Sequence, residues 1–359
     1  MKIFYLASKI TDSGGVSSVL CTRLNYFVEV LGFEVFIFST NDDTFTPFFS
    51  FSSKIKFHFS KVKMTNLLDL VHLKKEINQQ ILINNPDQIV VVDNGFKSLF
   101  YRKMIPNNWP CIYELHATPS YFYGEEYNGF KKYIVQIAID FLFPSFDKIV
   151  TLKPVKASFL NPKKVQVIPN PSTISTTKVS NLNNNKVIAI GRLEAIKNFD
   201  QLILIWKEVL KTFPNHKLEI YGEGSQQENL LRLIDTNNLN DSVAIFSPIK
   251  NIENALLQAN VFVLTSKSES FSLVTLEAMV CGLPVVSFDI GMEHLIENKV
   301  TGFVVSSSHD FVKKLIELLE SQKLREQFGS AAQQKAKAFA LDKVCEQWVL
   351  LFNSIKKSL

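Results

Sequence analysis

Short β-branched and aromatic runs alternate with amphipathic helical segments through the first half of this chain, and after residue 170 the alternation starts again. This double series constrains the fold more than any other feature. Strands separated by helices pair in parallel, and a parallel sheet has to be covered on both faces. KIFYLA, EVFIFST, KIKFHFS, DQIVVVD, CIYELH and DKIVTL read as the first set of strands, with amphipathic helices over residues 16–31 and 67–84. The second set is KVIAIG, KLEIYG, VAIFS, VFVLTS, PVVSF and GFVV, interleaved with helices over 199–212 and 226–237 and one running through Glu277. A chain of 359 residues is too long for one hydrophobic core. The expectation is two doubly wound α/β domains, 1–169 and 170–340, hinged where Pro169 and Pro171 flank Asn170. The final segment, 341–359, carries an apolar stripe of Trp348, Leu351, Phe352 and Ile355 and is expected to cross back to the first domain. Two such domains facing each other would form a cleft at the C-terminal ends of their strands, where open α/β sheets bind ligands.

Composition excludes several classes. At 46% hydrophobic and 20% charged, the chain is too apolar for disorder and too varied for a fibre. The longest apolar stretch, 133–146, is interrupted by Gln136, Asp140 and Pro144, so no membrane-spanning helix is expected. The opening MKIFYLASKI turns polar too early for a signal peptide, which predicts a cytoplasmic protein, possible contact with the inner membrane face included. Cys21, Cys111, Cys281 and Cys345 are far apart and lack His at zinc spacing, which argues for reduced, buried thiols. Residues 1–168 hold 19 Lys+Arg and 14 Asp+Glu, whereas 169–359 hold 20 of each, so the net charge of +5 lies in the first half. A basic half suits an anionic partner; ordinary scatter serving solubility explains it equally.

Three loops between a strand and a helix carry candidate chemistry. Asp12-Ser13-Gly14-Gly15-Val16-Ser17 follows the first strand, and its glycines would let backbone amides approach an anion, although a Gly-Gly reversal of the chain needs no ligand. It is not the G-x-G-x-x-G fingerprint of a dinucleotide fold. Gly191-Arg192-Leu193-Glu194-Ala195-Ile196-Lys197-Asn198 places a forked guanidinium and a compact ammonium in one loop, a set suited to two linked phosphates or simply to solvent. Ser266-Lys267-Ser268-Glu269-Ser270-Phe271-Ser272 runs into a helix, with Glu269 in the loop and Glu277 eight residues later, two turns into that helix. The amides near Phe271, Ser272 and Leu273 would face a phosphate, and Glu277, set in an apolar run, calls for a hydroxyl-bearing ligand. Alternatively, Glu269 complements the helix dipole and Glu277 pairs with a neighbouring helix. Asp42-Asp43 lies in a polar loop without support for an Asp-x-Asp metal site.

GRLEAIKNFDQLI followed by SKSESFSLVTLEAMVCGLPVVSF resembles glycosyltransferase family 4, whose hallmark is Glu-x7-Glu. The likeness extends to Gly14-Gly15, Glu114-Leu115-His116, Val167-Ile168-Pro169-Asn170, Tyr221-Gly222-Glu223-Gly224 and Thr301-Gly302-Phe303. It implies the α/β GT-B fold of two Rossmann-like domains facing across a cleft, and a metal-independent retaining transfer in which the departing phosphate accepts the acceptor's proton. No cofactor is implied; a nucleotide-diphosphate sugar, UDP-linked by this likeness, is the substrate. Arg192 and Lys197 would hold the diphosphate with the amides of Phe271, Ser272 and Leu273, and with Gly15 in the glycine loop. Glu277 would bind the ribose, and the loop at Pro248 and Ile249 would receive the base. Glu269 would stabilise the reacting sugar, and His116 would stand beside its primary alcohol; a strand-end His satisfied within the fold is the alternative.

Two departures bear on donor identity. Ser270 and Ser272 replace the family's glycines, and G-G-x-x-[DE] becomes Ile290-Gly291-Met292-Glu293-His294, with His294 at the acidic position. The acceptor would be a glycan or a lipid-linked molecule in polysaccharide or glycoconjugate synthesis, not a nucleic acid. Basic charge together with Phe45-Thr-Pro-Phe-Phe-Ser-Phe51, Tyr121-Phe-Tyr123 and Lys131-Lys132 suits peripheral binding to an anionic membrane, unless these aromatics pack in the core. A nucleotide-sugar epimerase, or a nucleotide-sugar-binding protein without catalysis, are the rival classes.

Overall fold

The computed structural model describes the chain except residues 41–45, 63–65, 94–95, 118–129, 156, 158–159, 250 and 356–359. Asp42, Asp43, Phe45 and the segment from Tyr121 to Tyr123 therefore lie outside the described residues. The chain divides into unit 1, Met1–Pro171 with Leu341–Leu359, and unit 2, Ser172–Ala340.

Unit 1 is a seven-stranded parallel sheet ordered β3-β2-β1-β4-β5-β6-β7. Its strands are β1 (Lys2–Ala7), β2 (Glu34–Ser39), β3 (Lys56–Phe59), β4 (Gln88–Asp93), β5 (Cys111–Leu115), β6 (Lys148–Thr151) and β7 (Val165–Val167). Four helices belong to the described part before residue 171: α1 (Gly15–Glu29), α2 (Leu67–Asn84), the single turn α3 (Tyr101–Met104) and α4 (Phe130–Leu142). Alternation along the strands divides the core into two layers. Phe4, Leu6, Val91 and Tyr113 face α2 and α4, which contribute Leu73, Ile77, Ile139 and Leu142. Ile3, Tyr5, Val90 and Ile112 face the other way, against Leu24 and Phe27 of α1 and Trp348 and Leu351 of α11 (Leu341–Ser354). A period of two in the strands and 3.6 in the helices produces this arrangement directly.

Unit 2 repeats the winding with six parallel strands, β10-β9-β8-β11-β12-β13. They are β8 (Lys186–Ile190), β9 (Lys217–Tyr221), β10 (Val243–Phe246), β11 (Val261–Leu264), β12 (Val285–Phe288) and β13 (Gly302–Val305). The helices are α5 (Phe199–Val209), α6 (Gln227–Thr236), α7 (Glu253–Leu257), α8 (Leu273–Val280), α9 (Ser308–Glu320) and α10 (Gln322–Ala336). Trp206 of α5, Leu230 of α6 and Phe311 of α9 pack on Val187, Ile220 and Val263.

The structure adjusts several expectations. The break between units falls after Pro171, because Ile168 is buried in unit 1 and its N–H donates to Thr151, whereas the Ser172 N–H donates to Phe339. The helix expected to reach 212 ends at Val209, with Thr212 and Phe213 turning back onto the Val209 carbonyl. Strand β7 was absent from the sequence reading; three edge residues are too few to show a period. All four cysteines are free and buried. No helix among the described residues is long and apolar enough to cross a membrane. Phe51 packs beside the core and against Phe57, with ring centroids 5.3 Å apart, so this described part of the aromatic segment turns inward.

Candidate functional site

In unit 2 the chain leaves β8 toward β9 and leaves β11 toward β12, in opposite directions from adjacent strands. Such a reversal leaves a crevice beyond the strand ends, the place where doubly wound sheets take ligands. The loops expected to carry chemistry, 191–198 and 265–272, rise on its two sides.

The loop after β8 is held by the loop after β9. Gly191 donates its N–H to Tyr221, Leu193 to Glu223, and Gln226 to Leu193, at 3.0, 2.8 and 2.8 Å. A Cβ on Gly222 would stand 1.9 Å from the Gly191 carbonyl oxygen, so glycine is required for this approach. The Glu194 carboxylate accepts from both the N–H and the hydroxyl of Ser225. A 3-10 turn, Ala195–Lys197, and a left-handed Asn198 then start α5. Arg192 is exposed at the rim and Lys197 is half-buried.

Across the crevice, Lys197 Nζ lies 2.6 Å from Glu269 Oε1, which also accepts from the Ser266 hydroxyl at 2.7 Å. Thr265 donates to the Lys197 carbonyl and Lys267 to that of Ile196, tying the two loops together. Glu269 is thus the counter-ion of Lys197, a role that the sequence reading did not assign. Helix α8 follows at Leu273, its first N–H groups lacking helical acceptors by geometry. Ser272 caps it without a side-chain hydrogen bond to the backbone and instead accepts from the Thr275 hydroxyl.

Glu277 is the fifth residue of α8, about one turn in rather than two, because the chain stays extended through Ser272. It is only 5% exposed and accepts a hydrogen bond from the Thr173 hydroxyl; it has no part in the helix–helix ion pair considered above. Burial pushes its carboxyl up to about 7, against the pull of that hydroxyl. The folded carboxyl holds its proton more tightly than the unfolded one, so its contribution is complete below about pH 4.5 and is lost as pH rises through about 7. On the order of 3 kcal/mol of stability is therefore expected to disappear between about pH 4.5 and pH 8 in the unliganded protein. Glu277→Gln should flatten this dependence. Urea unfolding of both proteins at the two pH values checks it; identical slopes would place the titration elsewhere.

Other assigned residues are farther apart. Pro248 and Ile249 follow β10, which lies at the sheet edge with β9 between it and β8, and Ile249 is exposed. Phe271 is buried, 5.4 Å from the His294 ring and 5.9 Å from Phe339. His294 therefore belongs to an aromatic cluster directly after the Glu269 loop, and no helix starts at its motif.

In unit 1, the glycine loop is already satisfied in part: Asp12 Oδ1 accepts from Gly14 N–H and from the Ser17 hydroxyl. Gly15 is the first residue of α1. Asp12 thus takes the Gly14 amide of this loop. His116 directly follows β5 and is buried, its Nε2 3.0 Å from Glu114 Oε1. Both Glu114 oxygens accept from Arg23, at 2.7 and 2.6 Å, and the guanidinium carbon lies 4.3 Å from the Trp348 ring centroid. Burial would raise the Glu114 carboxyl, yet Arg23 and His116 outweigh it and hold the group at about 2. Sequence reasoning missed Arg23; an Arg within the apolar run of α1 was the available signal. Among the described residues no group of three His, Cys, Asp or Glu side chains is arranged to hold a metal ion.

Residues 172–335 match the family model described as "Glycosyl transferases group 1". The chain is 25% identical to an uncharacterized glycosyltransferase of Haemophilus influenzae, covering 97% of this chain and 98% of the relative. It is 26% identical to the amylovoran biosynthesis glycosyltransferase AmsD of Erwinia amylovora, over 98% and 99% of the two chains. A Campylobacter jejuni N-acetylgalactosamine-N,N'-diacetylbacillosaminyl-diphospho-undecaprenol 4-alpha-N-acetylgalactosaminyltransferase is 27% identical over 74% of this chain and 72% of its own. In fold, the chain is similar to HepE from Anabaena, solved with UDP and glucose, at a TM-score of 0.78, 18% identity and coverage of 99% and 100%. With two doubly wound units and the group 1 match over the second, the chain is an enzyme of the glycosyltransferase superfamily with the GT-B fold.

Proposed function

We propose that this enzyme is a retaining family 4 hexosyltransferase that moves a sugar from a UDP-linked donor to a glycan or lipid-linked acceptor in surface polysaccharide or glycoconjugate synthesis. The observation that carries the reading is the Lys197–Glu269 pair at the unit 2 switch point, beside the N-terminus of α8. Two cations and a helix N-terminus supply preorganised positive potential for a leaving diphosphate, the charge that develops as the glycosidic bond breaks. Glu269 neutralises Lys197 until the diphosphate replaces it, and is then released toward the sugar. The acceptor hydroxyl attacks the anomeric carbon on the face the diphosphate leaves, and its proton passes to the departing phosphate oxygen. Buried Glu277 takes the ribose hydroxyls in place of Thr173, Pro248 and Ile249 receive the base, and His116 serves the sugar's primary alcohol. Protein cations meet the diphosphate charge without a metal, so transfer is proposed to persist in a chelator. The names of the Erwinia and Campylobacter relatives support the polysaccharide and lipid-linked readings, and the UDP in HepE supports the donor.

Calorimetry with UDP tests the assignment. Arg192→Ala and Lys197→Ala are each expected to weaken binding about ten- to a hundredfold, as hydrogen bonds to charged groups contribute about 1.5–3 kcal/mol. Wild-type affinity in both variants would reject the diphosphate site.

A further inference from the structure

Helix α4 buries Ile139 and Leu142 on the sheet, while other apolar side chains on it are exposed. Tyr133, Ile137 and Phe141, spaced at i, i+4 and i+8, are 64%, 51% and 65% exposed. They form one stripe along the helix, about 12 Å long at 1.5 Å per residue. Two cations lie at its C-terminal end. The Lys103 ammonium lies 4.3 Å from the Phe141 ring centroid, and Lys164 Nζ donates to the Pro144 and Phe146 carbonyls just beyond the helix. Lys148, on β6, donates to the Lys163 carbonyl in the turn before β7. Residues 130–164 hold seven Lys against two Asp, an excess equal to the net charge of the whole chain. The two acids are engaged: Asp140 accepts from Gln136, and Asp147 from the Cys111 N–H.

We propose that Tyr133, Ile137 and Phe141, with Lys103 and Lys164 at their C-terminal end, form a lipid-contacting surface that seats unit 1 on an anionic bilayer. The proposal rests on the reading of a lipid-linked acceptor. Aromatic and aliphatic side chains enter the acyl boundary while lysines meet the phosphates, the division of labour of an interfacial helix. A second copy of the chain fits this face poorly, because two like basic surfaces would repel.

The full chain should co-sediment with vesicles of phosphatidylglycerol and phosphatidylcholine in about equal amounts, less so as salt is raised, and not with phosphatidylcholine alone. Ile137→Gln combined with Phe141→Gln is expected to lower partitioning by at least about tenfold, and Lys103→Gln by about fivefold. Thermal unfolding and UDP affinity should stay at wild-type values in all of them. Absence of vesicle binding by the wild type, undiminished binding by the stripe variants, or a dimer that these variants dissolve would each overturn the proposal. Transfer to a lipid-linked acceptor in detergent separates the two readings: transfer without vesicle binding sinks the surface alone, and vesicle binding lost in the variants without any transfer sinks the acceptor alone.

Discussion

Glu269→Gln is expected to lower kcat by about two to three orders of magnitude while UDP affinity stays equal to the wild type or rises. The substitution keeps the side chain's shape and an oxygen able to accept from Ser266 and Lys197. It removes the charge that would stabilise an oxocarbenium-like sugar, an interaction strongest in the transition state, so the loss falls on kcat. It also takes the counter-charge from Lys197, 2.6 Å away, and an ammonium facing only a neutral amide binds diphosphate more readily. Steady-state kinetics together with UDP calorimetry decide the matter. A wild-type kcat would reduce Glu269 to the role of holding Lys197, and a large fall in UDP affinity would show that it supports the donor site structurally.

The second large effect is on stability. Glu114→Gln is expected to destabilise unit 1 by about 3–5 kcal/mol, the cost of leaving a buried charge without its partner. Arg23 is 1% exposed and enclosed by both Glu114 oxygens and the Trp348 ring, so no water can replace the carboxylate. Replacing both members, as Arg23→Met with Glu114→Gln, should recover much of that loss, because neither charge is then buried alone. The depressed carboxyl sets the pH window. Its contribution is complete above about pH 4.5 and is lost as pH falls through about 2, opposite in sign to Glu277. Denaturant unfolding followed by tryptophan fluorescence measures both variants; a single variant as stable as the wild type would show that the pair adds nothing to the fold. The same network faces His116, so the variant also tests whether that histidine needs Glu114 to stay in place.

The sequence by itself determined those features that repeat over short distances. The continuous apolar run KIFYLA reads as a strand buried on both faces, the stripe of α11 follows from a period of 3.6, and the restart near residue 170 follows from meeting the strand–helix pattern a second time. Loops bearing Arg192, Lys197 and Glu269 were legible because each directly follows a strand, where a doubly wound sheet exposes its ligand end. Partners distant along the chain were not legible. Lys197 and Glu269 are 72 residues apart, Arg23 and Glu114 91, and Thr173 and Glu277 104. Which of these groups meet is set by strand order: β11 inserts beside β8 rather than beside β10, and this crossover brings the two loops to one crevice. Glu277 shows the limit most clearly. An acid in an apolar run fits an ion pair or a ligand equally well from local pattern, and only the packed fold, with Thr173 rather than a cation at its oxygen, leaves it buried with a raised pKa. Periodicity is a local property of the chain, whereas desolvation and charge pairing depend on what the completed sheet places next to each group.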